Sequence, residues 1–377
     1  MTHTMGKVVA AMSGGVDSSV AAALLRDAGW DVTGVTLRLP VYGDAAACER
    51  TCCGERAIED ARRVAGKLGI PHYALDFREE FRRTVIADFC AAYARGRTPN
   101  PCARCNEWVK FDTLLKKALA LGAGFVATGH YVRKVDDART GLVRLRKGPP
   151  DDDQSYFLYA LSQEQLRHAL FPLADLDKTH VRRRAAELGL PVHDKPGSQD
   201  LCFLPLGDYR GFLREHFPQA LRPGPILHVS GRELGTHEGV AAYTVGQRRG
   251  LGIAHGEPLY VVALRPEENA VVVGERRHLL RRSVTTAGVN WMAARPPAGP
   301  VAAEVKIRYN HPAAPAQVTA LGDGRALIEF AEPAEAPCPG QSAVFYQGED
   351  LLGGGTIESS LDAEVPEPCL MQSSKRS

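Results

Sequence analysis

Short apolar runs alternate with longer amphipathic runs through the first half of the chain. The runs KVVAAM at residues 7–12, VTGVTL and HYALDF predict strands, because apolar and β-branched residues fill them. Apolar residues at helical spacing predict helices over residues 20–29 and 56–69, each ending at a glycine, and over EFRRTVIADFCAAYARG. Strands separated by helices of this length predict βαβ units, and therefore an α/β fold with a parallel sheet.

The pattern changes after about residue 203, where glycine and proline become frequent and short strand-like runs replace helices. From about Thr285 the pattern is typical of an all-β domain. The run AEVKIRYN alternates apolar and charged residues over 303–310, which predicts a half-buried strand that includes Arg308 and Tyr309. The run QVTALGDGRALIEF predicts a hairpin that turns at residues 322–324.

These changes divide the chain into three expected domains and a tail. The α/β domain is expected over residues 1–205, a small central domain over 206–283, a C-terminal β-barrel over 284–362, and a disordered tail over 363–377. A chain of 377 residues is long enough for two or three domains. Its 44% hydrophobic and 24% charged residues are typical of soluble globular proteins.

Net charge and cysteine content bear on the class of ligand and on the cellular compartment. A net charge of +2 does not itself indicate nucleic acid, so RNA binding would depend on basic patches at residues 182–184, 248–249 and 281–282. Nine cysteines, an odd number, argue against a disulfide scaffold and favour a reducing cytoplasm. The start MTHTMGK lacks the apolar core of a signal peptide, and no run approaches membrane-spanning length, so no membrane association is expected.

The segment AMSGGVDSSV, residues 11–20, lies between the first predicted strand and the first predicted helix. Gly14 and Gly15 permit backbone angles at which successive N–H groups converge on an anion, and the following helix adds its dipole. Three serine hydroxyls add donors. An ordinary serine-capped glycine turn is the simpler alternative. The segment is neither a Walker A loop nor a dinucleotide fingerprint, because it lacks both Gly-Lys-Ser/Thr and G-x-G-x-x-G.

Asp17 is the unusual member of this segment. A carboxylate repels phosphates unless a cation lies between them, so the sequence predicts Mg²⁺ at Asp17. The run SGGVDSS resembles the PP-loop of the ATP pyrophosphatases. That resemblance implies cleavage of ATP between its α and β phosphates and adenylation of a substrate oxygen, which belongs to a carboxylate, a urea or a nucleobase in different members.

Later stretches narrow the resemblance to one family. The runs GRTPNPCARCNEWVKF, ATGHY, DQSYFLYALS, SQDLCF, TVGQRRGLGI and PGQSAVFY resemble, in the same order, those of the tRNA-specific 2-thiouridylases. The resemblance extends from about residue 5 to about residue 360. It implies a PP-loop domain, a small central domain and a β-barrel. It also implies a sulfurtransferase that uses ATP to replace the C2 oxygen of the wobble uridine, in the tRNA anticodon, with sulfur.

The chemistry of that reaction requires a reactive sulfur, because uracil C2 is a poor electrophile until its oxygen is adenylated. Cys105 directly precedes NEWVKFDTLLKKALALG, a predicted helix, and a thiol at a helix N-terminus is activated by the dipole. The resemblance makes Cys105 the catalytic nucleophile and Cys202 the carrier of a persulfide. A buried structural cysteine is the alternative at each position.

Cys102 has two alternative roles. Many members of the family have aspartate here, which the resemblance implies is an acid or base beside the target uridine. Cys102, Cys105 and Cys202 also make the three thiols that would hold a 4Fe–4S cluster with one iron open to sulfide. A zinc site built on Cys48, Cys52 and Cys53 is less favoured than ordinary loop thiols, because their spacing fits no known zinc module.

The resemblance also implies which residues bind ATP and tRNA. The expected tRNA ligand is the anticodon arm, with the wobble base extruded into the site. The ATP-binding residues are Ala11, Met12, Ser13, Gly14, Gly15, Val16, Asp17, Ser18, Leu37 and Gly129. The residues at the target base and tRNA are Asn100, Pro101, Cys102, His130, Asp152, Asp153, Gln154, Arg308, Tyr309 and Gln341.

Sulfur would arrive from a donor protein, such as a cysteine desulfurase or a sulfur relay, as the resemblance implies. Two alternatives remain at this point. One is a PP-loop amidase or ligase that acts on another nucleobase, a carboxylate or a urea, and the other is an RNA-binding adaptor without catalysis. The intact loop at residues 13–19 argues against the adaptor.

Overall fold

The structure is a computed structural model that describes residues 5–42, 54–196, 201–204 and 207–361. The possible zinc ligands Cys48, Cys52 and Cys53 and the expected tail at 363–377 lie outside the described residues. No helix in the described ranges is long and apolar enough to cross a bilayer.

Strands occur throughout the described ranges. In chain order they are β1 Lys7–Ala11, β2 Asp31–Arg38, β3 His72–Asp76, β4 Phe125–Ala127, β5 Val132–Asp137, β6 Leu142–Lys147, β7 Ala169–Leu170, β8 Gly224–His228, β9 Glu233–His237, β10 Tyr260–Arg265, β11 Ala270–Gly274, β12 Leu280–Trp291, β13 Val301–Lys306, β14 Ala314–Ala320, β15 Ala326–Glu335, β16 Ser342–Gln347 and β17 Asp350–Leu361.

Helices are concentrated before residue 217. They are α1 Val16–Asp27, α2 Glu55–Leu68, α3 Arg78–Phe81, α4 Ala87–Ala94, α5 Pro101–Arg104, α6 Leu115–Ala120, α7 Gln163–Arg167, α8 Lys178–Glu187 and α9 Tyr209–His216. Two π-helical segments, Arg82–Ile86 and Cys105–Leu114, join α3 to α4 and α5 to α6. Single 3₁₀ turns lie at Ser155–Phe157, Pro218–Ala220, Val240–Ala242 and Arg276–Leu279.

The first sheet has the order β3-β2-β1-β4-β7, and all its strands are parallel. Alternate residues of β1 face opposite ways: Val9 packs into one hydrophobic cluster with Phe111, while Val8 packs into another with Val20 of α1. Both faces are therefore covered by helices, as a parallel sheet requires. The strand order reverses between β1 and β4, and ligands of such sheets bind at the carboxyl ends of the strands at this point.

The last strands close into a β-barrel of six strands in the order β12-β15-β14-β13-β16-β17, with β17 pairing back onto β12. Its interior is filled by apolar side chains that include Val284, Val305, Ile328, Phe345 and Ile357. A separate four-stranded sheet, in the order β10-β11-β8-β9, makes the middle of the chain. The predicted α/β domain with a central domain and a C-terminal barrel is confirmed.

The hairpin β5–β6 lies within the first half of the sequence but belongs to the barrel's sheet. Strand β6 meets β17 at Arg146 and Asp350, and the Lys147 N–H donates to the Glu349 carbonyl at 2.9 Å. Asn290 of β12 reaches back, because its amide donates to the carbonyls of Tyr159 and Leu161 at 2.7 and 2.9 Å. The barrel is therefore joined to the α/β part through several segments of the chain.

Most local predictions are confirmed, including the first three strands, the glycine-terminated helices and the hairpin of β14 and β15. The predicted strand over 303–310 is wrong at its end, because β13 stops at Lys306 and places Arg308 and Tyr309 in a turn. The expectation that short strands replace helices after about residue 203 is also wrong. Helix α9 forms there and buries Phe212 and Leu213.

Candidate active site

A glycine loop at residues 12–18, here called the phosphate loop, follows β1 at the switch point of the sheet. The Met12 N–H donates to the Val35 carbonyl at 2.8 Å, which ties the start of the loop to β2. Ser18 Oγ accepts from the Ser13 N–H at 3.1 Å. Gly15 is the N-cap of α1 and has no side chain to cap it. The first N–H groups of α1 therefore have no side-chain cap, and the anion site at this position stays a prediction from the sequence.

Gly14 has two independent reasons to be glycine. Its φ is +69°, in the left-handed region, and a Cβ there would lie 2.3 Å from the Ala57 carbonyl oxygen in α2. The phosphate loop therefore packs backbone to backbone against the N-terminal turn of α2. Any other residue would separate the two.

Gly129, which follows β4, lies against the same loop from the other side. A Cβ on Gly129 would be 2.7 Å from the Ser18 nitrogen and 2.8 Å from the Asp17 carbonyl carbon. Leu37, near the end of β2, is only 8% exposed and packs in the core. The sheet thus brings the predicted ATP residues after β1, β2 and β4 to one edge.

Asp17 is held by two side chains from distant parts of the chain. Tyr131 Oη donates to Asp17 Oδ1 at 2.6 Å, and Lys178 Nζ lies 2.6 Å from Oδ1 and 2.5 Å from Oδ2. Burial and the hydrogen bond to Asp17 raise the pKa of Tyr131, so the phenol stays protonated and donates. The cation beside Asp17 in this structure is therefore the ammonium of Lys178, which sequence reasoning missed.

A second lysine reaches the loop from the segment before Cys202. Lys195 Nζ donates to the Gly14 carbonyl at 3.0 Å and to Asp60 Oδ2 at 2.9 Å. Burial acts to raise the pKa of Asp60, but hydrogen bonds from Lys195 and Arg63 lower it below its ordinary value. Asp60 thus stays charged and holds Lys195 against the phosphate loop.

In the described ranges, no group of three or more His, Cys, Asp or Glu side chains is arranged to hold a metal ion. Cys102, Cys105 and Cys202 all lie within those ranges, and the 4Fe–4S cluster on these three thiols stays a prediction from the sequence. Asp17 is a single carboxylate, and both its oxygens already contact Lys178.

The two cysteines of the C-x-x-C motif lie in one helical run over residues 101–120, here called the cysteine helix. The prediction that this helix begins after Cys105 is wrong. Asn100 is its N-cap, with Oδ1 accepting from the Ala103 N–H at 3.2 Å, and Pro101 is its first residue. Cys102 therefore lies in the first turn and is partly exposed, whereas Cys105 is 7% exposed and begins the π-helical segment. Such segments are frequent at functional sites.

Cys202 is fixed by the residue that follows it. Phe203 is 1% exposed and makes edge-on contacts with Phe81, Phe89 and Phe212, and its carbonyl accepts from the Tyr42 N–H at 2.9 Å. Cys202 itself is partly buried against the same hydrophobic core that contains Cys105. The two sulfur residues thus share one core, although a hundred residues separate them in sequence.

The β-barrel is hydrogen-bonded to the residues at the start of the cysteine helix. The Thr98 N–H donates to the Pro339 carbonyl at 2.8 Å, and Gln341 Nε2 donates to the carbonyls of Thr98 and Pro99 at 3.2 and 3.1 Å. Asn100 Nδ2 donates to Ser342 Oγ at 3.0 Å. Gln341, a predicted tRNA contact, therefore positions the loop before Cys102.

Arg104 lies between the two cysteines of the motif and was missed by sequence reasoning. Its guanidinium pairs with Glu107 at 2.8 Å, donates to Thr356 Oγ1 of the barrel at 3.0 Å, and lies 5.0 Å from the ring centre of Trp108. The alternation of charged and apolar residues offered no sign of this contact, because Thr356 is distant in sequence. The cysteine helix is thus attached to the barrel at a second point.

The other predicted tRNA residues lie around β4, β6 and β13. Burial, together with the charge of Lys110, lowers the pKa of His130 well below its ordinary value, and its Nδ1 lies 2.8 Å from Thr128 Oγ1. Asp153 Oδ1 accepts from the N–H groups of Gly148 and Ser155, both at 3.0 Å. These contacts fix the loop over residues 148–155.

A cavity of about 450 Å³ opens between this loop and the barrel. Tyr309 lines it, with Lys306 Nζ 5.1 Å from the ring centre, and burial lowers the pKa of Lys306. Arg308 does not line the cavity. One guanidinium nitrogen of Arg308 donates to the carbonyls of Val245 and Ala336 at 2.9 and 2.8 Å. The aromatic ring of Tyr309 and the ammonium of Lys306 are groups that can contact a base and a phosphate of a nucleotide. The other lining residues with polar or charged groups include Lys147, Asp151, Asp153, His311, Tyr346 and Glu349.

The basic patches differ in exposure. Residues 248–249 lie in an exposed loop, and Arg183 of α8 is exposed, so these can face a polyanion. Arg281 is 6% exposed and donates to the carbonyls of His278 and Leu280 at 2.7 and 2.9 Å. Arg281 is therefore buried at the start of β12 and is excluded as an exposed RNA contact.

The doubly covered parallel sheet, with a glycine phosphate loop at its switch point, defines a PP-loop nucleotide-binding enzyme. Three family models match the chain in order. They are described as tRNA methyl transferase HUP domain, tRNA methyl transferase PRC-barrel domain and aminomethyltransferase beta-barrel domain, and they match residues 6–206, 210–275 and 281–357.

Curated relatives match nearly the whole chain. The tRNA-specific 2-thiouridylase MnmA of Heliobacterium modesticaldum is 50% identical over 96% of this chain and 94% of its own length. Those of Moorella thermoacetica and Rhodospirillum centenum are 50% and 49% identical over 93% and 96% of this chain, and 98% and 95% of their own lengths. The chain belongs to the tRNA-specific 2-thiouridylase family.

One solved structure with a related fold is a more distant match. A 4-thiouridine synthetase in complex with RNA and ATP is 19% identical, with a TM-score of 0.34 over 51% of this chain and 43% of its own. A likeness of this size adds nothing to the description of the site.

Proposed function

We propose that this protein is an ATP-dependent sulfurtransferase that converts the wobble uridine of tRNA anticodons to 2-thiouridine. The observation that carries the proposal is the 50% identity to a 2-thiouridylase over 96% of the chain. Two features of the structure support it. Gly129 packs against the phosphate loop, and Cys105 and Cys202 pack on the same hydrophobic core. The residues of the loop bind the phosphates of ATP, and Leu37 lies at the strand end where adenine is expected.

In the first step the uracil C2 oxygen attacks the α-phosphate of ATP. The new O–P bond forms as the bond to the β-phosphate breaks, so pyrophosphate leaves and N3 loses its proton. The N–H groups at the start of α1 stabilise the charge that develops on the phosphates. Adenylation makes the C2 oxygen a good leaving group, because it departs as AMP.

In the second step a persulfide on Cys202 attacks C2 through its terminal sulfur, and AMP leaves. The Cys105 thiolate then attacks the sulfur of Cys202 and breaks the S–S bond. A Cys105–Cys202 disulfide forms, and the thiolated base leaves as an anion that regains its proton at N3. A dithiol reductant and a new persulfide, delivered by a donor protein such as a cysteine desulfurase, restore the enzyme.

Cys102 is proposed as the acid or base beside the uridine, with Asn100 and Pro101 at its side. The first-turn position and partial exposure of Cys102 support this role. Mg²⁺ bound to ATP would lie near Asp17 and neutralise phosphate charge; Asp17 and the loop are the residues that would meet it. A 4Fe–4S cluster held by Cys102, Cys105 and Cys202 is the alternative, and the steps above do not use it.

Purified protein with ATP, unmodified anticodon-arm RNA and a persulfide donor tests the proposal. We expect 2-thiouridine by nucleoside mass spectrometry, with AMP and pyrophosphate formed only when RNA is present. Cys202→Ala and Cys105→Ala should abolish the product, while Cys90→Ala, a buried cysteine of α4, should keep it. AMP formation that is independent of RNA would instead indicate another PP-loop ATP pyrophosphatase. Iron and labile sulfide measured after anaerobic purification distinguish the two roles of Cys102, since a 4Fe–4S cluster on the three thiols would contribute both.

A further inference from the structure

Asp17 of the phosphate loop depends on two donors that lie outside the loop. Tyr131 is 2% exposed and reaches Asp17 Oδ1 at 2.6 Å, while Lys178, the first residue of α8, contacts both oxygens. A carboxylate so close to bound triphosphate would repel it, and the ammonium of Lys178 offsets that repulsion. The positions of Tyr131 and Lys178 therefore set both the orientation and the effective charge of Asp17.

Both donors are anchored by one short segment, residues 152–154, here called the contact segment. Asp152 Oδ2 accepts from the backbone N–H of Lys178 at 2.8 Å. Gln154 exchanges two bonds with Tyr131: its Oε1 accepts from the Tyr131 N–H at 3.2 Å, and its own N–H donates to the Tyr131 carbonyl at 2.9 Å. The contact segment thus holds the two residues that hold Asp17.

The contact segment also borders a place where a ligand can bind. Asp151 and Asp153 line the 450 Å³ cavity together with Tyr309, Lys306 and Lys147. Asp153 closes the loop that carries the segment, through bonds to Gly148 and Ser155. A nucleotide in the cavity would touch the loop within one residue of Asp152 and Gln154. An occupied cavity and the phosphate loop are therefore linked by two short chains of hydrogen bonds.

We propose that Tyr131 and Lys178 are positioning residues that couple tRNA at the contact segment to ATP at the phosphate loop. The inference rests on the proposed function, because it takes tRNA as the ligand of the cavity. Binding of tRNA fixes the contact segment, the segment fixes Tyr131 and Lys178, and these hold Asp17 in the arrangement that favours ATP. By thermodynamic linkage, ATP must tighten tRNA binding by the same factor as tRNA tightens ATP binding.

The test measures the dissociation constant of a non-hydrolysable ATP analogue with and without saturating tRNA. The ratio is the coupling factor, and we expect a value of about five or more in the wild-type protein. Tyr131→Phe removes only the hydroxyl donor, and Lys178→Met removes only the charge; each should bring the factor towards one. Asp152→Ala should do the same. Lys178→Arg should restore part of the factor.

Lys116→Met is the matched control, because Lys116 pairs with Asp112 on an exposed helix face at 2.8 Å and should leave the coupling unchanged. Equal weakening of analogue binding with and without tRNA in Tyr131→Phe and Lys178→Met would show a merely structural role and would overturn the inference. Thiolation by the wild-type protein is measured in parallel. Thiolation with an unchanged coupling factor in the variants overturns the inference alone, whereas absence of thiolation and of tRNA binding overturns the proposed function as well.

Discussion

The side-chain amide of Asn100 donates to Oγ of Ser342 at 3.0 Å, and this bond joins the residue that caps the cysteine helix to the first residue of β16. Ser342 is 1% exposed and in turn donates to the hydroxyl of Tyr159 at 3.2 Å, while its carbonyl accepts from Tyr156 Oη at 3.0 Å. A buried polar network therefore locates Cys102 relative to the barrel.

Ser342→Ala should separate the cysteine helix from the barrel. Asn100 and Tyr159 each lose a buried partner, which should lower the free energy of unfolding by about 1–3 kcal/mol. The kcat for thiolation should fall, while affinity for an ATP analogue should stay at the wild-type value, because the phosphate loop does not contact this network. Ser359→Ala, which removes an exposed bond of 2.7 Å to Thr285 on the barrel surface, is the control. Equal kcat in the two variants would contradict the positioning role.

Gly129→Ala should disable ATP binding without unfolding the protein. The added Cβ would lie 2.7 Å from the Ser18 nitrogen, so the phosphate loop must shift. We expect affinity for ATP to fall at least tenfold, as measured by calorimetry. Gly124→Ala, just before β4, introduces a Cβ with nothing within 4 Å and should bind ATP normally. Normal ATP binding by Gly129→Ala would show that the loop does not hold the nucleotide as described.

Arg308→Met should affect stability more than RNA affinity. The guanidinium bridges Val245 in the middle of the chain and Ala336 in the barrel, so its loss should cost about 1.5–3 kcal/mol in denaturant unfolding. Because the guanidinium bonds to carbonyls of the protein and not to phosphate, the slope of log affinity for tRNA against log salt concentration should stay at the wild-type value. A slope reduced by about one would instead place Arg308 on a tRNA phosphate, as the family resemblance implies.

Stability should fall as the pH drops below about 6.5, the ordinary pKa of histidine. Burial lowers the pKa of His130 well below this value, and burial with the nearby Arg62 also lowers the pKa of His72. In this pH range these two histidines bind protons in the unfolded chain but stay neutral in the folded chain, so protonation favours unfolding. Urea unfolding measures the free energy of unfolding at pH 7 and at pH 5. The decrease between the two should be smaller in His130→Gln than in the wild-type protein, and smaller again in the double variant with His72→Gln. Parallel curves for all three proteins would exclude this origin.

Local patterns made much of the fold predictable. The buried run of β1, the glycines of the phosphate loop and the turn at residues 322–324 are all defined by neighbours in sequence. The true start of the cysteine helix was also readable, since Asn100 before Pro101 is a typical cap and first residue. Lys178, Lys195 and Ser342 could not be found in this way. Their partners Asp17, Gly14 and Asn100 lie 161, 181 and 242 residues away.

The turn at Arg308 and Tyr309 shows a different limit. The alternation of apolar and charged residues continues past Lys306, and Ile307 is indeed buried at 5% exposure. Strand β13 nevertheless ends there, because the register with β16 pairs Glu304, Val305 and Lys306 with Tyr346, Phe345 and Val344 and goes no further. A strand ends where its pairing with the neighbouring strand ends. The apolar periodicity of one segment carries no information about that neighbour.

The hairpin β5–β6 has a consequence for dividing this protein into parts. Val143 and Leu145 of β6 are 3% and 0% exposed, and the strand lies beside β17 at the far end of the sequence. A fragment that ends before Leu280 would remove β17 from the edge of β6 at Arg146 and leave that part of the edge unpaired, the kind of surface on which chains aggregate. The nucleotide-binding part and the barrel are therefore interleaved along the chain, and neither can be removed or exchanged at a single cut.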